Sequence, residues 1–160
     1  MLAAALVAGI AVWFATTANT SDTTRFTVWN HAASAVAYAR PVAIGETFTL
    51  EHTHSVTERL VVETFSVHDA STIALEELWF DEFGPNLPTS AEQVGEHATF
   101  LQEDGAFRVL HHGHPIGSVP LLVGSPSVDH VLRFEDGTSV RLLDVAPARS
   151  RVELLVGGGP

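Results

Sequence analysis

The stretch FTLEHTHSVTERLVVETFSV, residues 48–67, alternates apolar and polar side chains in two runs joined by Thr57 to Leu60. A period of two is the mark of a strand with one buried face, and two such runs around a short polar connection predict an antiparallel pair. Setting Val56 against Val61 makes the two apolar faces coincide: Phe48, Leu50, His52 and His54 meet Val61, Glu63, Phe65 and Val67. In that register His54 stands directly opposite Glu63. An ionisable pair on a face otherwise built of Val, Phe and Leu must be hydrogen-bonded, because a lone buried carboxylate is costly or takes up a proton.

Short alternating runs of the same kind continue along the chain, punctuated by Gly, Pro and Asp. They predict strands over Phe26 to Trp29, Ala35 to Val42, Thr47 to Val56, Leu60 to His68, Thr72 to Asp81 and His97 to Gln102. Five more follow over Ala106 to His111, Val119 to Val123, Val128 to Phe134, Thr138 to Asp144 and Arg151 to Val156. The expected fold is all-β, an antiparallel β-sandwich of about 9–11 short strands over residues 26–156. A helical turn is expected at Ser90 to Gly95, with Ser90 as N-cap. The tripeptide Glu-Asp-Gly occurs at Glu103 to Gly105 and again at Glu135 to Gly137. A three-residue hairpin loop with glycine in the left-handed position suits both. It pairs Phe134 with Thr138, and at the other hairpin it sets Leu101 beside Phe107 and Thr99 beside Val109. Trp29 and Trp79 fall in strands and are expected in the core.

Leu2 to Ala15 is an unbroken apolar run, and residues 1–18 read as a hydrophobic helix serving as signal peptide or membrane anchor, with 19–25 as a polar linker. The domain is then expected to be extracytoplasmic, either tethered through that segment or secreted. Nineteen acidic residues stand against eight basic ones, all arginine, for a net charge of −11. Such a surface repels itself in dilute buffer but is screened at molar salt, where the Debye length is about 3 Å. The composition therefore suggests a halophile's protein, and it disfavours nucleic acid as a partner. With no cysteine in the chain, disulfides, thiolate metal sites and a cysteine nucleophile are excluded.

No catalytic or cofactor motif is present. Two readings of the His54 and Glu63 pair stand side by side: a ligand or catalytic dyad that His130, also on an apolar row, joins, or a structural pair that fixes strand register. Ser55 is adjacent but expected on the opposite face. His111, His112 and His114 cluster in a Gly-Pro loop and are weak metal candidates, since no acidic or thiolate partner lies at a known spacing. The longest irregular stretch, Phe83 to Gly95, is the first place to expect a binding surface, centred on Phe83, Gly84, Asn86, Leu87 and Pro88.

Thr53-His54-Ser55-Val56, the downstream Glu63, Phe83-Gly84 leading to Leu87-Pro88, and Asp129-His130-Val131-Leu132 together resemble a family catalogued as domain of unknown function 1850. Its members typically carry a Thr-His-Ser-Val motif, a later Glu, a Phe-Gly-Ala-Gly-Leu-Pro loop and a late His-x-Leu. Here Pro85-Asn86 replaces the loop's Ala-Gly, and Asn tolerates the left-handed conformation almost as Gly does; Leu60 stands where the family usually has Pro. The resemblance implies a setting beside the permease of TAXI-type TRAP transporters, which take up organic acids and similar solutes with an extracytoplasmic receptor. The function it implies is an accessory or binding module that docks on that permease or its solute receptor. A His/Glu hydrolase, metal-dependent or acid/base, and a purely structural cell-surface sandwich are the alternatives.

Overall fold

The computed structural model describes residues 22–158. It is a two-sheet antiparallel β-sandwich, with 54% of the described residues in strands and 5% helical. The expected N-terminal helix, the signal or anchor over 1–18 and the first part of the linker lie outside the described residues. The rest of the linker does not stay irregular: Thr23 to Arg25 already belong to the first strand. Among the described residues no helix is long and apolar enough to cross a membrane.

Eleven strands run in chain order: β1 (Thr23–Asn30), β2 (Ala35–Ala43), β3 (Thr47–Thr53), β4 (Leu60–Val67), β5 (Ile73–Phe80), β6 (Thr99–Glu103), β7 (Ala106–Gly117), β8 (Val119–Leu122), β9 (Val131–Phe134), β10 (Ser139–Arg141) and β11 (Arg151–Val156). Each overlaps a stretch where alternation places one, but β3 stops three residues early, β9 starts three residues late, and β7 runs on from His111 to Gly117 through the expected Gly-Pro loop. A single 3₁₀ turn, Ala91–Gln93, follows Ser90, which occupies the N-cap position without a side-chain capping bond. The strand expected to reach Asp144 stops at Arg141 and turns into a short helix α1, Leu142–Val145, which buries Leu142 while its N–H donates to the carbonyl of His130.

The small sheet has the order β2-β1-β11-β8 and the large one β10-β9-β3-β4-β5-β7-β6. Between them Phe26 from the small sheet meets Phe48 and Phe134 of the large one edge-on, at ring separations of 5.0 and 5.2 Å. Phe48 in turn stacks on Phe65 at 5.3 Å. This main core is separate from a second cluster of Val61, Phe80, Phe107 and Val109, which is covered by Leu87, Val94 and Ala98 from the segment between β5 and β6. The inner face of the large sheet is therefore roofed partly by a sheet and partly by a loop. A seam is left between the two roofs. Trp29 and Trp79 are only half-buried and belong to neither cluster, which corrects their expected place in the core.

The two Glu-Asp-Gly turns fold differently. At β9–β10 the expected pairing holds, with Leu132 opposite Val140 and the Phe134 N–H donating to the Thr138 carbonyl at 3.0 Å. At β6–β7 Glu103 pairs with Ala106, so the loop has two residues and Phe100, not Thr99, faces Val109. Asp104 and Gly105 both adopt positive φ, 50° and 79°, as a type I′ turn demands. A Cβ on Gly105 meets nothing within 4 Å. Gly105→Ala is thus expected to cost only the conformational penalty, about 1 kcal/mol, seen as a lower urea midpoint with an unchanged slope.

Candidate functional site

The seam opens as a cleft of about 710 Å³. Its walls bring together the three residues singled out in the sequence, His54, Glu63 and His130, with Asn86 and Leu87 of the loop. They also include His52, Ser125 and Arg149, which the sequence does not mark.

The pairing that places these side chains differs from the expected one. Leu50, not His54, lies opposite Glu63, and His52 lies opposite Val61. The shift is four residues, an even number, so every side chain keeps its face while its partner changes. β3 ends at Thr53, and His54 begins a tight turn closed by its own N–H to the Arg59 carbonyl at 2.8 Å and by the Glu58 N–H to its carbonyl at 2.9 Å. Because the chain has left the strand, Ser55 lines the cleft after all.

His54 is 9% exposed and both of its ring nitrogens are engaged by the backbone. Nδ1 accepts from the N–H groups of Val56 at 3.3 Å and Thr57 at 3.2 Å. That leaves the proton on Nε2, which donates to the Pro85 carbonyl at 3.0 Å. The imidazole therefore ties the β3–β4 turn to the Phe83–Asn86 segment. Gly84 makes this possible, since a Cβ there would lie 2.7 Å from His54 Cε1 and 3.0 Å from Nε2. Asn86 takes φ of 69°, the left-handed conformation expected of it. Phe83 lies against Phe107 at 4.0 Å between ring centres, Leu87 packs on the second cluster, and Pro88 borders an adjoining recess with His111.

His130 is held in a similar way. Its Nδ1 accepts from the Gly124 N–H at 3.1 Å, which places the ring proton on Nε2. A Cβ on Gly124 would come within 2.7 Å of Val128 and 3.1 Å of that Nδ1. The neighbouring Asp129 accepts from Arg141 at 2.6 Å, and the Val128 carbonyl accepts from the Thr53 N–H at 2.7 Å. His52 faces His130 across the β3–β9 pair, with 5.1 Å between ring centres, and its Nδ1 is buried with no hydrogen-bond partner among the described residues.

Burial, reinforced by the nearby imidazoles of His130 and His54, pushes His52 down to about 4. Burial also lowers His130, although Asp129 opposes it. The unfolded chain takes up a proton at His52 near pH 6.5 that the folded domain refuses until about 4. Stability from this group is therefore complete above 6.5 and is lost as pH falls toward 4. After discounting for partial solvent exposure, the loss is roughly 1–2 kcal/mol. Unfolding free energy followed across that range should show it, and His52→Gln should flatten the decline.

Glu63 is half-buried among Leu50, Leu78 and Phe65, and among the described residues it has neither an ion pair nor a hydrogen bond. Loss of hydration raises its carboxyl above the usual range, with no neighbouring charge or hydrogen bond contributing. Elsewhere acids pair with arginines: Glu51 with Arg133 at 2.8 Å, Glu77 with Arg108 at 2.6 Å, Asp81 with Arg59. An unpartnered carboxyl on an inward face is the exception in this domain.

Residues 48–140 match the family model described as Domain of unknown function (DUF1850). The chain belongs to this family. The DUF1850 match contains His54, Glu63, Phe83 to Pro88 and His130, so four separated pieces of sequence meet at one cleft, while Arg149 lies beyond it. No curated protein and no solved structure matches the chain.

The other histidine group, expected in a loop, is instead part of a strand, and only its His111 reaches the recess beside the cleft. His111, His112 and His114 lie on β7 where it bulges against β5 around Glu76, and His112 bonds Thr99 Oγ1 at 2.9 Å. Among the described residues, no three His, Cys, Asp or Glu side chains are arranged to hold a metal ion.

Proposed function

We propose that this DUF1850 domain is a non-enzymatic binding module, an extracytoplasmic accessory of a TAXI-type TRAP solute transport system that works through the cleft between its two hydrophobic clusters. The observation that carries the binding reading is Glu63, a half-buried carboxyl that faces the cleft with no protein partner among the described residues and is free to pair with a donor brought in by a ligand. The acid/base form of the hydrolase alternative has Glu63 orient and polarise His54. His54 instead commits both nitrogens to backbone groups and is not paired with Glu63, which favours binding over catalysis. The transport setting rests on the family resemblance, and the acidic, lysine-free surface agrees with a salt-rich exterior.

The test is to tag the chain in its native cell and isolate it from detergent extracts. Recovery of the permease or solute receptor with the wild-type chain, together with slower solute uptake after deletion of its gene, is the expected result. A chain recovered alone, with uptake unchanged by the deletion, would sink the proposal.

A further inference from the structure

We propose that the cleft takes a small zwitterion, with its ammonium on Glu63 and its carboxylate on Arg149. The inference rests on the reading of the cleft as a binding site and adds the class of ligand. Of the eight arginines, five are ion-paired to carboxylates: Arg40, Arg59, Arg108, Arg133 and Arg141. Among the described residues the remaining three are Arg25, Arg149 and Arg151, and only Arg149 lines the cleft. Arg149 is exposed and brings to the cleft wall a guanidinium with no carboxylate partner among the described residues. It is one of seven described non-glycine residues with positive φ, at 67°, and its position is fixed by its N–H to the Val123 carbonyl at 2.8 Å.

Between Glu63 and Arg149 the lining is largely apolar, with Leu78, Leu87, Leu122 and Val128. The other titratable groups facing the space are His52 and His54 from the end of β3 and His130 from before β9, with His111 of β7 in the adjoining recess. Burial keeps His52 and His130 below the ordinary imidazole range, so near neutrality they offer hydrogen bonds without charge. Glu63, once ionised, and Arg149 are then the opposite charges that line the cleft. A simple anion would meet the Glu63 carboxylate in the same cleft, and a simple cation would meet the Arg149 guanidinium. A molecule carrying both charges satisfies each of them, and apolar carbon in it meets the apolar lining.

Because the ammonium must displace a proton from Glu63 whenever that group is protonated, affinity should rise with pH through its titration by up to about tenfold per unit, then level off. Calorimetry on the full chain with glycine, γ-aminobutyrate and L-leucine is the test. Alongside run the single-charge analogues: acetate and methylamine for glycine, butyrate and propylamine for γ-aminobutyrate, isocaproate and isopentylamine for L-leucine. At least one zwitterion is expected to bind about tenfold or more tightly than both of its analogues, and to lose about tenfold in Glu63→Gln and again in Arg149→Gln. Thermal unfolding of both variants checks that they remain folded. Absence of binding by every zwitterion, or binding that neither substitution weakens, overturns the proposal. Equal binding of a single-charge analogue that still depends on Glu63 or Arg149 also overturns the ligand class while leaving the cleft a binding site. The transport reading is judged separately, by co-purification and uptake.

Discussion

Gly84→Ala is expected to destabilise the domain by about 3 kcal/mol, through contact and not through backbone conformation. Gly84 does not occupy the left-handed region, but its added methyl would sit 2.7 Å from His54 Cε1 and 3.0 Å from both His54 Nε2 and Thr57 Cγ2. A flexible side chain would swing away. His54 cannot, because moving the ring breaks the bonds from Val56 and Thr57 to Nδ1 and the bond from Nε2 to Pro85. His54→Ala loses the same three bonds directly and strands their backbone partners, at a similar cost of about 3 kcal/mol. Once the imidazole is gone, most of the clash at residue 84 is gone with it. The double variant should therefore be much less destabilised than the sum, with a coupling of about 2 kcal/mol in a urea-unfolding cycle. Simple additivity would show that the glycine and the histidine do not act as one unit.

Replacing Glu63 by leucine is expected to have the opposite sign, raising stability at neutral pH by about 2 kcal/mol, or a melting temperature higher by about 4–8 °C. The site lies opposite Leu50 on β3 and Leu78 on β5, so leucine continues an apolar row. The folded state raises the carboxyl's pKa above its unfolded value of about 4.5. Such a group is harmless below the unfolded pKa, where it is protonated in both states, and it costs stability as pH rises through the folded pKa. The part of the gain that comes from removing an ionisable group should accordingly fade as pH falls below that range, leaving only the contribution of the added apolar contacts. A domain that becomes more stable and loses its ligand on the same substitution is keeping Glu63 for something other than folding.

Strand positions were legible because alternation persists in nearly every segment, and the inward faces of β3 and β4 were legible for the same reason. Partners were not. The register of β3 and β4 depends on where the chain leaves the strand, and that is set by an imidazole bonding to backbone groups within its own turn and across to Pro85. No periodicity encodes such a contact. At the first Glu-Asp-Gly turn, Phe100 and Leu101 are adjacent and both apolar, so alternation can be read in either phase, and the two-residue turn decides it. At the second, Leu132 and Phe134 are separated by Arg133, and only one phase fits.

The candidate site was partly readable. His54, Glu63 and His130 do line one cleft, although His54 is a tie between segments and Glu63 stands without it. His52 was visible on the apolar face yet passed over for its neighbour. Arg149 gave no signal, because a left-handed arginine in a Pro-Ala-Arg-Ser connection looks like any surface turn until the chain is folded.

The central claim is that Glu63 is held in the cleft at the expense of stability, for the sake of what the cleft receives. The most direct test is the thermal midpoint of the Glu63→Leu variant beside the wild-type domain at pH 7. A midpoint several degrees higher is predicted. A midpoint at or below that of the wild type would mean that Glu63 already has its partner within the protein, and would contradict the claim.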